Sequence, residues 1–316
     1  MTTETNQPAE PASSSGRLER DALIGVISAG SGYALWGLSV IFYKQLTTVP
    51  PFELLAHRTL WSLVLAGLVL VILRRGHFLV AVLKNGRHAA ALVVTALIIA
   101  SNWFVFIYSI NESRVLETSL GYYINPLISV LIGVWALGER LTRPQMAAAF
   151  LAFLGVANMT WALGDLPWIS LFLAASFALY GYLRKILPVG PLEGLLIEMA
   201  VLTPAALIYL DSQGAGLGLT AFESGGLWIE FLLVMTGPMT AVPLILFNYG
   251  AQRIRLATLG LMQYMAPTTQ FALAVWLYGE VLTNAHIVTF ALIWVGLGVF
   301  SFDSWRVERR LRRGSA

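Results

Sequence analysis

The sequence predicts an all-α polytopic membrane protein of ten transmembrane helices, built as two inverted five-helix repeats. Three observations carry this expectation. The 316 residues are 57% hydrophobic and only 12% charged, whereas soluble domains carry roughly 25% charged residues. The basic residues fall in the breaks between apolar runs and segregate strongly. The stretch from Arg114 to Gly138 recurs at Arg255 to Gly279.

The apolar runs come in order at about 22–43, 52–73, 88–110, 115–137, 144–163, 167–187, 192–210, 227–250, 256–278 and 285–303. Most are close to the roughly 20 residues that a helix needs to cross the hydrocarbon core. Helices are expected because each satisfies its own backbone polar groups in lipid. Pro50-Pro51, Gly76, Gly86, Asn111-Glu112, Gly138, Gly164-Asp165, Pro188 to Pro191, Gly214 to Gly218 and Gly279 punctuate them. Residues 1–21 are polar, have no apolar leader region and read as a disordered cytoplasmic tail. Residues 304–316 read as a basic cytoplasmic tail whose Arg306–Arg313 cluster touches anionic membrane lipid.

With ten crossings, 17 Lys and Arg lie on the side of both termini and two, Lys44 and Arg114, on the other. That split puts the N- and C-termini in the cytoplasm. It also accounts for the net charge of +3 without a nucleic-acid partner. With no Cys, disulfides, thiolate nucleophiles and Cys-based metal sites are excluded.

The repeat fixes a geometry. Over Arg114–Ala157 against Arg255–Gly298, 12 of 44 positions are identical without a gap, enough to treat the halves as copies. Five helices separate a residue from its copy, so the halves insert with opposite orientation. The turn Gly138 to Arg143 keeps two arginines, and its copy Gly279 to Asn284 has none. The units are 22–163 and 164–303. Inverted repeats place a shared site near the bilayer midplane and permit alternating access.

Several polar residues lie inside the apolar runs. Glu53 and His57 are four apart and share a helix face, with Arg58 one residue further round. Buried arginines are costly and face a cavity or a carboxylate. Arg58 therefore reads as an anion or carboxylate clamp on the outward-facing half of the pathway, or as a structural ion pair with Glu53 or a cation snorkelling to the outer interface. Glu198 reads as a proton-coupling carboxylate, with Glu53 and His57 as further coupling candidates, or as a structural partner of Arg58 or of a hydroxyl. Asn102, Tyr122, Tyr123, Asn125, Asn248, Gln263 and Tyr264 form a polar set on the third, fourth, eighth and ninth runs. Pro126 and Pro267 free the carbonyls of Tyr122 and Gln263. These groups line a cavity or tie helices together. Trp36, Trp103 and Tyr180 stack a planar substrate or pack the bundle. Glu139 and Glu280 each follow a glycine suited to a helix end, and Thr142 with Gln145 reads as a capping box, so both glutamates are expected to be structural. Gly25, Gly30, Gly32 and Gly37 are expected to allow close packing of the first helix.

These strings resemble the drug/metabolite transporter superfamily and its EamA domain family. The marks are two five-helix halves, each closing with Gly-Glu-x-Leu-Thr, at Gly138–Thr142 and Gly279–Thr283. Glu53 to Arg58 with Trp61-Ser62, Asn102-Trp103, Ser119 to Leu127, Ser176 to Gly181, Thr240 to Leu244 and Gln263 to Thr268 resemble the RarD group within it. The resemblance covers roughly 20–304. It implies a bacterial inner-membrane permease with a ten-helix fold. Members of the group carry a label concerning chloramphenicol sensitivity, and better-understood relatives export amino acids and similar metabolites.

An enzyme is not expected. The chain has no Gly-Lys-Ser/Thr phosphate loop and no His-Glu-x-x-His, and its four His are scattered. No cofactor and no metal site are expected. Rings of like charge, which a channel would need, are absent. The expected function is a secondary transporter exporting a small molecule by alternating access, with protons as one candidate coupling ion. The alternative is a membrane sensor or structural protein that moves nothing.

Overall fold

A computed structural model of the chain describes residues 13–74, 82, 84–137, 142–212, 226–251, 253–254 and 262–314. The described residues are helical throughout, with no strand among them. In chain order the helices are α1 (Ser13–Lys44), α2 (Pro51–Ile72), α3 (Gly86–Asn111), α4 (Val115–Leu137), α5 (Arg143–Leu163), α6 (Trp168–Ile186), α7 (Pro191–Ser212), α8 (Gly226–Ala251), α9 (Met265–Ala272) and α10 (Asn284–Gly314). A π-helical turn, Leu273–Leu277, prolongs α9. Eight of the helices are long and apolar enough to cross a membrane. The sixth offers a shorter apolar stretch, Trp168–Arg184, and the ninth is divided by its π turn.

Two expectations about the ends change. The first helix begins at Ser13, so residues 13–21 are helical rather than disordered. The last continues through the basic cluster to Gly314. Neither junction holds a proline, and arginine is a good helix former, so each helix runs on beyond its apolar portion.

Local chemistry sets the helix starts and stops. Pro51 and Pro144 sit at the first turns of α2 and α5, where a missing N–H costs nothing. Asn85 caps α3 by accepting from the N–H groups of Arg87 and His88. The expected capping box is present at α5: the Thr142 hydroxyl accepts from Gln145 N–H and the Gln145 side chain accepts from Thr142 N–H. Gly164 ends α5 at φ +76°, a left-handed conformation that suits glycine. Pro204 lies inside α7, and Pro238 and Pro243 lie inside α8.

Close helix approach is arranged by glycines. A Cβ at Gly237 of α8 would stand 2.6 Å from the Trp61 carbonyl carbon and oxygen on α2. A Cβ at Gly250 would stand 2.6 Å from the Ala29 N and Gly25 O of α1. The expected packing role of the first helix holds at Gly32, where a Cβ would lie 2.9 Å from Pro243 O.

The pairings have a pattern. α1 packs on α8 and α9, while α6 packs on α3 and α4. α2 packs on α7, α5 on α10, and α4 on α9. Shifting each helix number by five, cyclically, turns this set into itself. Side chains turned away from the bundle are large and apolar, with Trp135 91% exposed and Trp276 83% exposed. Such faces suit lipid rather than water.

Candidate functional site

Two buried charges dominate the interior. Arg58 lies seven residues after Pro51 on α2 and Glu198 seven residues after Pro191 on α7. Each is therefore about 10 Å along its helix from the N-terminal end. Phe52 near the start of α2 meets Tyr209 near the end of α7, and Ala66 clusters with Leu195 near the start of α7, so the two helices pack antiparallel and the charges occupy opposite halves of their interface.

Arg58 is 6% exposed. Its guanidinium carbon sits 3.9 Å from the ring centroid of Trp103 on α3 and 5.6 Å from that of Tyr43 at the end of α1. Tyr43 and Tyr122 are its electrostatic neighbours. Its Nε is buried and meets no hydrogen-bond acceptor. The rings around it continue as a wall: Tyr43 to Phe106 is 5.9 Å between centroids, Phe106 to Tyr122 is 6.0 Å, and Tyr122 to Phe177 is 6.0 Å. Glu53 and His57 are buried on the same helix nearer its start, and Glu53 has Tyr209 of α7 as a neighbour.

Glu198 has no solvent exposure. Its Oε1 accepts from Thr95 Oγ1 of α3 at 2.7 Å, and its Oε2 accepts from the Tyr180 hydroxyl of α6 at 3.1 Å. Arg184 Nε stands 3.8 Å from Oε1 and completes an ion pair, while Arg184 Nη2 donates to Gly190 O at 3.1 Å. Of the structural partners expected for Glu198, Arg58 or a hydroxyl, the structure gives hydroxyls, those of Thr95 and Tyr180, and not Arg58. The cation beside Glu198 is Arg184, one turn beyond Tyr180 on the same face of α6. Tyr180, expected as a stacking ring, donates a hydrogen bond to that carboxylate.

The remaining polar candidates divide. Asn102 Nδ2 donates to Leu173 O at 3.1 Å and Ser176 Oγ at 2.9 Å, and Asn125 Nδ2 donates to Ala174 O at 3.0 Å. Both amides therefore tie α3 and α4 to α6. Tyr123 pairs its hydroxyl with Thr268 at 2.6 Å and stacks on Tyr264 with centroids 6.3 Å apart. The two tyrosines therefore tie α4 to the turn before α9. Gln263 and Tyr264 lie in the turn before α9. Pro267 is then the third residue of a helix rather than its middle, a position that needs no N–H donor. The expected freeing of the Gln263 carbonyl within a helix therefore does not apply. Instead Pro267 O itself accepts from Ser119 Oγ at 2.8 Å. Pro126 is inside α4 as expected. Trp36 packs edge-on to Tyr33 at 5.7 Å and beside Phe247. Asn248 is on α8, but its side chain lies outside the described residues.

One end of the bundle is latched. Glu280 accepts at Oε1 from Val115 N–H at 2.7 Å and at Oε2 from Leu116 N–H at 2.8 Å, capping α4 from across the molecule. Lys44 Nζ donates to Ser113 Oγ at 2.8 Å and stands 5.3 Å from the Tyr278 ring centroid. Burial pushes the Glu280 carboxyl above its ordinary range, while the Leu116 and Val115 amides and Lys44 pull it back down. The π turn has no counterpart at 132–136 of α4, which is ordinary α-helix. Glu139, the copy of Glu280, lies outside the described residues.

Sequence reasoning missed Arg184, Thr95 and the reach of Glu280. Arg184 carries a usable signal in its i, i+4 spacing from Tyr180. Thr95 and the amides of Val115 and Leu116 carry none, because hydroxyls and main-chain donors are everywhere in helices.

An apolar helical bundle with opposed buried charges defines a polytopic membrane protein. Comparison with known proteins narrows the class to transporters. Residues 23–161 match the EamA-like transporter family. The chain is 40% identical to Protein RarD of Escherichia coli (strain K12), covering 90% of this chain and 96% of that one. It is 42% identical to Protein RarD of Streptomyces exfoliatus, covering 94% of each. An uncharacterized transporter of Pseudomonas aeruginosa is 41% identical over 91% of this chain and 96% of its own length. A solved crystal structure superposes with TM-score 0.55 at 21% identity, covering 92% of this chain and 99% of that one, a likeness of fold. The chain belongs to the EamA family of the drug/metabolite transporter superfamily, in its RarD group.

Proposed function

We propose that this chain is a secondary transporter of the bacterial inner membrane that exports a small molecule by alternating access. Its ten helices cross as two inverted five-helix repeats, residues 22–163 and 164–303, with both termini cytoplasmic. The observation that carries the reading is the pair Arg58 and Glu198, buried at matched positions of α2 and α7 in opposite halves of one interface. Buried ionisable groups in membrane helices mark solute and ion pathways. The exchange of helix pairings on a shift of five supports the inverted repeat, and the 17-to-2 charge split supports the orientation. The names of the relatives support transport. In this reading Lys44, Ser113 and Glu280 close the outward end.

Arg58, Trp103 and Tyr122 would meet the solute, with Glu53 and His57 beside them. Tyr123, Tyr264, Asn102, Asn125 and Trp36 would hold the walls. Glu198, with Tyr180 and Arg184, would carry the coupling proton. The experiment compares metabolite pools in cells lacking and overproducing the protein, then measures flux of the compound that changes in proteoliposomes. Compound-dependent flux is expected, and its absence for every compound that changes would discard the carrier. In Glu198→Gln, flux is expected to lose its pH dependence; an unchanged pH profile would remove Glu198 from coupling.

A further inference from the structure

Arg58 and Glu198 occupy equivalent places, yet only Glu198 has a counter-ion among the described residues. Arg184 neutralises it at 3.8 Å. Arg58 enters no ion pair among those residues, and its buried Nε has no acceptor. A buried ion costs several kcal/mol unless it is paired. The Trp103 face offsets only about 2 kcal/mol of that. The charge is therefore incompletely compensated.

The geometry also sets what can complete it. The guanidinium carbon lies over the Trp103 ring, 3.9 Å from its centroid. The Arg58 Nε–H meets no acceptor among the described residues, and a guanidinium N–H edge matches a carboxylate in a bidentate pair. The charge count selects further. Arg58 supplies one positive charge, and the partly buried Arg184 is committed to Glu198. A doubly charged phosphate would leave a net negative charge in a low-dielectric interior. The surrounding wall of Tyr43, Phe106 and Tyr122 is aromatic, which suits a planar or apolar body. We propose that Arg58 anchors a site for small organic monoanions, with the carboxylate on the guanidinium edge and the body against the aromatic wall. The proposal rests on the carrier reading and names its substrate class.

The test uses the purified full chain in nanodiscs, titrated with benzoate, benzamide and inorganic phosphate. Binding is followed by intrinsic tryptophan fluorescence and thermal protection. Benzoate is expected to bind, with benzamide and phosphate at least about tenfold weaker. Arg58→Gln is expected to weaken benzoate at least about tenfold, and Arg58→Lys to retain part of the affinity because it keeps the charge but loses the fork. Without ligand, Arg58→Gln is expected to be at least as heat-stable as the wild-type protein, as removal of an uncompensated charge requires. If that variant does not fold, discrimination between benzoate and benzamide by the wild-type protein decides. No benzoate binding at millimolar concentration, equal binding of benzamide, tighter binding of phosphate, or full benzoate affinity in Arg58→Gln would each overturn the site. Flux separates the two claims. Arg58-dependent benzoate binding with no solute movement keeps the anion site and discards the carrier. Solute flux unchanged in Arg58→Gln keeps the carrier and discards the site.

Discussion

Glu198 is held by three partners from two helices, so removing its charge leaves the partly buried Arg184 without its counter-ion. Glu198→Gln is expected to lower unfolding stability by about 3 kcal/mol. Adding Arg184→Gln should recover part of the loss in a double-mutant cycle read by thermal unfolding. Additive losses would mean that the two side chains do not interact. Glu280 gives a pH prediction whose sign follows from its raised carboxyl. The folded state binds that proton more readily than the unfolded chain, so the contribution of Glu280 to stability falls as pH rises from the ordinary glutamate range through the raised value. The wild-type protein should therefore lose melting temperature relative to Glu280→Gln over that interval. Lys44 and Glu117 face the same group and are kept unchanged in the comparison. Both glutamates were conspicuous in the sequence, because a charge beside or within an apolar run stands out. Their partners were not: Arg184 reads as a topology marker near a helix end, and amide donors have no letter of their own.

Helix limits were legible where a side chain performs the capping, as at Thr142 and Gln145. They were misjudged where nothing marks the end of lipid, as at Ser13 and Gly314, because helix propensity does not stop at a membrane surface. The π turn at Leu273–Leu277 was also hidden, since its copy in α4 has a similar sequence and stays α-helical. Packing between helices makes its own prediction. Gly237→Ala drives a methyl group to 2.6 Å from the Trp61 main chain, and Gly250→Ala does the same against α1. Each is expected to cost about 1–3 kcal/mol by forcing helices apart, seen as a lower melting temperature. Gly181→Ala, where a Cβ meets nothing within 4 Å, is the control and should leave the melting temperature close to the wild-type value.

The whole molecule was the most legible level. Composition, charge segregation and the repeat reach the helical bundle without any contact being known, because a bilayer forbids most other architectures. The site was less legible, since which polar residues meet a cavity depends on helix rotation, and rotation is set by packing. Asn102 and Asn125 illustrate this by turning to the α6 backbone. The orientation can be tested directly. The chain has no cysteine, so single-cysteine variants report without background. Thr47→Cys and Thr283→Cys are expected to react with an impermeant maleimide in intact cells. Arg87→Cys is expected to react only after permeabilisation. The reverse pattern would invert the topology.

The grip of Glu280 on α4 is made to main-chain nitrogens. Any side chain at 115 or 116 presents the same donor, except proline. The hydrogen bonds therefore exclude only proline there, while burial in the core, with Val115 0% and Leu116 4% exposed, keeps both positions apolar. Selection on the contact itself would have to act through the glutamate alone. A survey of natural variants should find 115 and 116 exchanging among apolar residues but without proline, beside a nearly fixed acid at 280.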